Sequence, residues 1–277
     1  MKVAIIGAGV MGYGIAQTFA VHKDYDVTLC DLKKEIADKG KAQIEKSLEK
    51  LSAKGKITKE EMDAALAGIT TGDNSAAADS DLLIETATEQ LDLKKKVLLE
   101  LDGICKQETM FATNTSSLSI TELSASLGRP MVGIHFFNPA PIMKLVEIIS
   151  GLNTPPELTE KACAIVRSLG KTPVKVKDST GFIVNRIEIP MINEAIGVLA
   201  DGVASAEDID TAMKLGVNHP MGPIELADLI GLDICLAVME TLYQDTKDSK
   251  YRPHPLLRNM VRAGWLGKKA GKGFYSY

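Results

Sequence analysis

The sequence is poor in cysteine, histidine and aromatic residues, and it has no long apolar run. No two of its four cysteines have the spacing of a zinc site or a redox motif: Cys30, Cys105, Cys163 and Cys235. No stretch approaches the roughly 18 uninterrupted apolar residues of a membrane span. Gly7 interrupts the first apolar run, which argues against a signal peptide. We therefore expect buried free thiols, no metal site, no membrane association and a cytoplasmic protein.

The chain also lacks a surplus of basic charge. Its 277 residues include 32 basic and 36 acidic side chains, and the formal net charge is −4. General nucleic-acid binding usually depends on a basic surplus, so we expect no nucleic-acid partner. Chains of this length usually form more than one hydrophobic core, so the length suits two domains.

Strand and helix patterns alternate through the first part of the chain. Short segments rich in apolar and β-branched residues predict buried parallel strands: KVAIIG, DVTLCD, DLLIETA, TMFATN, MVGIHFF and LVEIIS, with TPVKVKD as a last strand. Helical patterns between them begin near Gly12 and Lys33, and Thr58 and Thr154 are predicted helix caps. The alternation predicts a Rossmann-type, doubly wound α/β fold with a mostly parallel sheet.

The pattern changes after Thr180. From Phe182 onward the sequence shows long helical patterns, one of them containing Pro190, and no convincing strand. Ser205 is a predicted helix cap, and Gly231 is a predicted helix break. We therefore predict an α/β domain over residues 1–180 and a second, all-helical domain over residues 181–277. So much apolar surface in a short helical domain predicts partial burial against a second subunit.

A glycine motif follows the first predicted strand, in the segment VAIIGAGVMGYGIA. Its G-x-G-x-x-G spacing allows a tight turn, close approach of a pyrophosphate to the backbone, and close packing of a helix. Asp31 ends the next strand, where its carboxylate would accept hydrogen bonds from adenosine ribose hydroxyls and repel a 2′-phosphate. This favours NAD over NADP, although Lys33 and Lys34 weigh the other way. The predicted cofactor-binding residues of this region are Gly7, Gly9, Val10, Met11, Gly12 and Asp31.

Polar residues also follow the later predicted strands. Because ligands of open α/β sheets lie outside the carboxyl ends of the strands, we expect these side chains to converge on one crevice. They are Glu85, Glu89, Asn114, Thr115, Ser116, Ser117, His135 and Asn138, of which Asn114 is a further predicted cofactor contact.

His135 and Glu147 form the strongest candidate for acid–base chemistry. A nicotinamide enzyme that oxidises an alcohol needs a base for the hydroxyl proton, and histidine titrates near neutral pH. Glu147 lies within a buried strand pattern, where a carboxylate is costly unless it is paired. Alone, His135 could be a structural residue at a strand end and Glu147 an exposed edge residue. Together they favour a catalytic pair. The other histidines are interpreted as structural or surface residues: His22, His219 and His254.

Five segments resemble the L-3-hydroxyacyl-CoA dehydrogenase family, most closely its bacterial short-chain branch, the 3-hydroxybutyryl-CoA dehydrogenases. They are GAGVMG, TNTSSLSIT, HFFNPAPIMKLVE, GFIVNR and NHPMGPIELADLIGLD, and the resemblance covers essentially the whole chain. It implies oxidation and reduction at C3 of an acyl-CoA with NAD, in a homodimer formed through the helical domain.

The resemblance also implies roles for individual residues. The catalytic residues would be His135 as the base, Glu147 as its partner, and Ser116 and Asn185 as substrate contacts. Because Asn185 belongs to the helical domain, the active site would lie between the domains. The implied cofactor contacts are Asp31, Glu89, Lys94, Ser116, Asn138 and Lys269. The implied coenzyme A contacts are Ser47, Lys50 and Lys54; from the residues alone these lysines could equally form a solvated helix face.

Two other functions remain open on the sequence. A dehydrogenase of a free β-hydroxy acid would share the glycine turn and the helical domain, but such enzymes use a catalytic lysine on that domain, where this chain has Asn185. A protein without catalysis, either a crystallin-like relative or a nucleotide sensor, would not need the complete set of His135, Glu147, Ser116 and Asn185.

Overall fold

The computed structural model describes residues 1–277, which form two compact units, Met1–Ser179 and Thr180–Tyr277. The first unit is built on one eight-stranded sheet with the order β3-β2-β1-β4-β5-β6-β7-β8. All neighbouring strands are parallel except β6 and β7. The strands are β1 Lys2–Ile6, β2 Asp26–Asp31, β3 Ile69–Asp73, β4 Leu82–Glu85, β5 Met110–Thr113, β6 Met131–Phe136, β7 Leu145–Ser150 and β8 Thr172–Lys177. The predicted doubly wound, mostly parallel α/β architecture is confirmed.

Two features of the sheet differ from the sequence prediction. Strand β3, with the sequence ITTGD, was not predicted because it is an edge strand with Ile69 as its one large apolar residue. Strand β7 was predicted to be parallel, but it runs antiparallel to β6. The eight residues between these two strands form a turn, and a parallel connection needs a crossover of a dozen or more residues.

The helices of the first unit are α1 Val10–Ala20, α2 Lys34–Ala53, α3 Lys59–Ala67, α4 Leu91–Ile104, α5 Ile120–Ser124 and α6 Pro156–Ser168. Thr58 caps α3 in a reciprocal capping box with Glu61, as predicted. The predicted cap at Thr154 is wrong, because Pro155 is the N-cap of α6. The Thr154 hydroxyl instead donates to the carbonyl of Met131 at 2.6 Å and accepts from the amide of Gly151 at 2.9 Å.

The second unit is helical, as predicted, and has its own apolar core. Its helices are α7 Val184–Ala200, α8 Ala206–Gly216, α9 Pro223–Ile230, α10 Leu232–Thr246 and α11 Pro255–Arg262. Ser205 caps α8 by accepting from the amide of Asp208. Gly231 separates α9 from α10 with a φ of 106°, a backbone conformation that favours glycine. None of the helices has both the length and the apolar character needed to cross a membrane.

The four cysteines are free and buried. Burial raises the pKa of the Cys30 thiol from 9.0 to about 12, with Asp73 adding to the effect. A thiol whose pKa is higher in the folded protein than in the unfolded chain stabilises the folded state. This contribution is fully present below the pKa of the unfolded chain, and it is lost as the pH rises from there toward the pKa of the folded protein.

Cys30→Ala should therefore flatten the alkaline stability profile. Between pH 8 and pH 10, the free energy of unfolding of the variant should fall about 1 kcal/mol less than that of the wild type. Denaturant unfolding at both pH values measures this difference. Cys163→Ala is the control: burial also raises the Cys163 pKa, but Lys175 and Arg167 oppose the rise, so its profile should change less. If the free energy of unfolding of the wild type and of Cys30→Ala depended on pH in the same way, the Cys30 thiol would not have a raised pKa.

Candidate active site

The glycine turn between β1 and α1 has little steric freedom at two of its three glycines. Gly7 has a φ of 101°, and a Cβ on Gly12 would lie 1.7 Å from the carbonyl oxygen of Gly7. The hydroxyl of Thr86 lies 2.9 Å from the carbonyl oxygens of Ile6 and Gly7 and braces the turn from the neighbouring strand. A Cβ on Gly9 would meet nothing within 4 Å. Gly7 and Gly12 therefore serve the fold, whereas Gly9 keeps the surface in front of the turn open.

The N-terminus of α1 suits the pyrophosphate of a dinucleotide. Its N-cap, Gly9, offers no side-chain hydrogen bond, and its first turn carries no acidic residue. The first amides of the helix therefore remain available to an anion, with Val10 and Met11 in that first turn. Asp31 ends β2 beside the turn, where its carboxylate accepts from the amide of Ala8 at 2.7 Å and from that of Leu32 at 2.8 Å. These contacts fix Asp31 and leave it lone pairs for ribose hydroxyls. The residues present fit NAD.

Glu89 holds the turn that follows β5. Its Oε1 accepts from the hydroxyl of Thr115 at 2.6 Å, the amide of Ser116 at 2.7 Å and the amide of Ser117 at 3.2 Å. The Ser116 hydroxyl lies 3.1 Å from the same oxygen. Burial alone would raise the pKa of Glu89, but the Lys94 ammonium and the hydrogen bonds from Thr115 and Ser116 outweigh it, and the pKa lies below its usual value. The carboxylate is therefore ionised and acts only as an acceptor.

Lys94, a predicted cofactor contact, is 1% exposed. Its Nζ lies 2.9 Å and 3.0 Å from the two carboxylate oxygens of Glu85, and 3.0 Å from the carbonyl oxygen of Ala87. Glu89 completes its surroundings at 3.4 Å. The structure thus places the ammonium inside a buried ionic cluster beneath the loop that carries Glu89.

His135 and Glu147 face each other directly across the antiparallel pair of β6 and β7. The distance from Nδ1 of His135 to Oε2 of Glu147 is 2.8 Å, and the two residues are 5% and 1% exposed. Because an ionised carboxylate only accepts, Nδ1 carries the proton in this contact. Nε2 is then the basic nitrogen of the neutral ring. The ring of Phe137 packs against the imidazole with a centroid distance of 4.5 Å.

Two polar contacts shape the backbone around His135. The side-chain oxygen of Asn114 accepts from the amide of Phe136 at 2.8 Å, so Asn114 ties the end of β5 to the end of β6.

Lys171, which is 8% exposed, donates to the carbonyls of Ala140 and Met143 at 2.6 Å and 2.7 Å and closes the turn between β6 and β7. Burial lowers the pKa of Lys171. Asn138, a predicted cofactor contact, is exposed in the same turn.

The sequence prediction missed the supporting roles of Thr86 and Lys171, and that of Thr113, whose hydroxyl donates to the carboxylate of Glu85. It named Glu85 without giving it a partner. Lys171 precedes a strand and shows no periodic or motif signal, because its acceptors are backbone carbonyls distant in sequence. The position of Glu85 at a strand end was the one available signal for the cluster around Lys94.

The remaining predicted site residues lie on two helices and in the C-terminal segment. Ser47, Lys50 and Lys54 are spaced by three and four residues and share one face of α2 and its C-terminal cap, with both lysines exposed. In the second unit, Asn185 is half-buried in the first turn of α7. Lys269 is exposed and forms an ion pair with Asp233 at 2.6 Å.

Two family models together match nearly the entire chain. Residues 2–179 match the 3-hydroxyacyl-CoA dehydrogenase, NAD binding domain, and residues 181–277 match the 3-hydroxyacyl-CoA dehydrogenase, C-terminal domain. The chain belongs to the 3-hydroxyacyl-CoA dehydrogenase family. The predicted family and the predicted cofactor, NAD, are thereby confirmed, and the chain is an NAD-dependent oxidoreductase of this family.

Individual members of the 3-hydroxyacyl-CoA dehydrogenase family align with the chain from end to end. A 3-hydroxybutyryl-CoA dehydrogenase of Clostridioides difficile is 51% identical, over 100% of this chain and 99% of the relative. The mitochondrial hydroxyacyl-coenzyme A dehydrogenase of Rattus norvegicus is 41% identical, over 99% of this chain and 90% of the relative. The crystal structure of (S)-3-hydroxybutyryl-CoA dehydrogenase from Ralstonia eutropha has a TM-score of 0.95 and 49% identity, and covers 100% of this chain and 98% of that one.

Proposed function

We propose that the protein interconverts (S)-3-hydroxybutyryl-CoA and acetoacetyl-CoA by NAD-dependent hydride transfer. The observation that carries the proposal is the buried His135–Glu147 pair, with its 2.8 Å contact, on the NAD-binding unit of a 3-hydroxyacyl-CoA dehydrogenase. The short acyl chain is supported by the 3-hydroxybutyryl-CoA dehydrogenases that align with this chain over its full length. We assign NAD binding to residues 1–180, and substrate binding and dimerisation to residues 181–277.

In this mechanism Nε2 of His135 removes the proton of the 3-hydroxyl group. NAD, when bound, supplies the acceptor for the hydride from C3. Glu147 stabilises the resulting imidazolium and fixes the ring orientation through Nδ1. In the reducing direction the protonated His135 donates to the forming alkoxide. Ser116 and Asn185 hold the substrate oxygens.

The proposal assigns the remaining polar residues to the two coenzymes. Ser47, Lys50 and Lys54 bind the phosphates of coenzyme A, because exposed lysines on one helix face complement an acidic ligand. Glu89, Asn138 and Lys269 contribute to the NAD site together with the glycine turn, and Asn114 and Lys94 contribute from buried positions.

We further propose a homodimer formed through the helical unit and a cytoplasmic location. Large apolar side chains of this unit are exposed, including Ile187 at 67%, Val203 at 72% and Leu215 at 83%, and such surface is usually covered by a second subunit. Four buried free thiols suit a reducing compartment.

Oxidation of NADH by the purified protein, with acetoacetyl-CoA and with free acetoacetate as substrates, tests the proposed function. We expect turnover with acetoacetyl-CoA and very little with acetoacetate at the same concentration, and we expect NADPH to be a poorer donor than NADH because of Asp31. Preference for free acetoacetate would favour the β-hydroxy acid alternative. Failure to oxidise NADH with either substrate would favour a protein without catalysis.

A further inference from the structure

A buried ionic cluster beneath the active site has no role in the proton and hydride chemistry. It is formed by Glu85, the last residue of β4, and Lys94 in the first turns of α4, which are 0% and 1% exposed. Glu85 also accepts from the hydroxyl of Thr113 at 2.7 Å and from the amide of Ala87. An ion pair so deeply buried carries a large desolvation cost, which is offset only where further hydrogen bonds satisfy both charges.

The cluster reaches the active site through Glu89. The ammonium of Lys94 lies 3.4 Å from Oε2 of Glu89, while Oε1 of the same carboxylate accepts from the turn after β5. The Glu89 side chain is 37% exposed, so one side of this residue borders solvent. Glu89 thus connects the buried cluster to the turn that carries Ser116.

The charges explain why Glu89 stays in place. The cluster contains two carboxylates, Glu85 and Glu89, and a single ammonium between them. Without that ammonium the two carboxylates would repel each other in surroundings of low dielectric constant. Glu85 is enclosed, whereas Glu89 borders solvent. Rotation of Glu89 toward solvent would relieve the repulsion, and it would release the turn of residues 115–117.

We propose that Lys94 and Glu85 are positioning residues that act through Glu89: they hold its carboxylate against residues 115–117 and thereby fix the Ser116 hydroxyl. This rests on the proposed function, in which Ser116 contacts the substrate. This positioning role is separate from the contribution of Lys94 to the NAD site. The Lys94 ammonium is enclosed by Glu85, Glu89 and the carbonyl of Ala87, so it holds Glu89 from within the cluster.

The test compares Lys94→Met with Lys96→Met, which removes an exposed lysine from the same helix. Amide hydrogen exchange is measured without ligands in the segment 115–118 and in strands β4 and β5, and kcat is measured with acetoacetyl-CoA and NADH. In Lys94→Met we expect exchange in 115–118 to be roughly 10-fold faster and kcat roughly 10-fold lower, the effect of losing charge-assisted hydrogen bonds. Lys96→Met should match the wild type in both.

A second variant keeps the test decisive if Lys94→Met fails to fold. Glu85→Gln/Lys94→Met removes both buried charges, so no unpaired ion remains in the sheet, but Glu89 still lacks its ammonium. Because Glu85→Gln also removes the repulsion between the two carboxylates, we expect local exchange to rise and kcat to fall in the same direction as in Lys94→Met, but by a smaller factor.

Three results would overturn the proposal. A lower kcat with unchanged exchange in 115–118 would mean that Lys94 acts directly on the cofactor. Faster exchange throughout β4 and β5 in both variants would mean that the cluster only supports the fold. Faster local exchange with an unchanged kcat would mean that the position of the turn does not matter for turnover. Because exchange needs no substrate, a wild type inactive on acetoacetyl-CoA would contradict the proposed function separately from the positioning of the turn.

Discussion

Replacing His135 by glutamine should lower kcat for acetoacetyl-CoA reduction by about 10²–10⁴-fold, the range that general acid–base catalysis contributes. Glutamine has a similar reach and can hydrogen-bond Glu147, but it cannot carry the transferred proton at neutral pH. NADH binding should stay unchanged, because His135 lies on β6 and the proposed pyrophosphate site lies at the N-terminus of α1. Steady-state kinetics and the fluorescence of bound NADH measure the two effects in one preparation.

His22→Gln provides the matched control for this substitution. His22 lies in the loop between α1 and β2, at the amino ends of the strands and therefore opposite the carboxyl ends that carry the candidate site, and the variant should retain the wild-type kcat. If His135→Gln turned over at a rate near that of the wild type, His135 would not be the base. If it lost NADH binding in parallel with kcat, its role would be structural.

Two glycine substitutions should separate folding from cofactor binding. Gly12→Ala places a methyl group 1.7 Å from the carbonyl oxygen of Gly7, so the turn must open and the protein should lose several degrees in Tm together with its NAD affinity. Gly9→Ala meets no protein atom within 4 Å and should fold with the wild-type Tm. Its methyl group nevertheless occupies the approach to the first amides of α1, so NAD affinity should fall roughly 10-fold to 100-fold, the loss expected when charge-assisted hydrogen bonds to phosphate are broken.

Thermal melts and NADH titration of both variants test this difference. The informative variant is Gly9→Ala, because its stability and its affinity should change independently. Wild-type NAD affinity in Gly9→Ala would place the pyrophosphate elsewhere. A lowered Tm in the same variant would show that Gly9 serves the fold, like Gly12.

The sequence was most informative where a pattern is periodic or a motif is local. The glycine turn and the capping box of Thr58 involve residues close together in the chain, so their spacing alone specifies the geometry. Asp31 could be predicted because it ends the strand that follows the glycine motif in a βαβ unit. The alternation of apolar segments likewise predicted the sheet. Edge strand β3 has too few apolar residues to show such a pattern.

Contacts distant in sequence were harder to predict. The antiparallel direction of β7 follows from the short turn before it, and Lys171 holds that turn through carbonyl groups about 30 residues away in the chain. A lysine that donates to backbone carbonyls has no partner residue type that a sequence could reveal. Glu85 and Lys94 are nine residues apart, but their pairing depends on how α4 packs beside β4.

A comparison of His135→Gln, Glu147→Gln and the double variant tests the central claim, that these two residues act as one catalytic unit. Glu147→Gln alone should lower kcat by roughly 10²-fold, because a neutral amide stabilises the imidazolium poorly. If Glu147 acts only through His135, the double variant should have the same kcat as His135→Gln alone. If instead the fold-loss of kcat in the double variant equals the product of the two single losses, the two residues act independently. That result would contradict the claim that His135 and Glu147 form one catalytic unit.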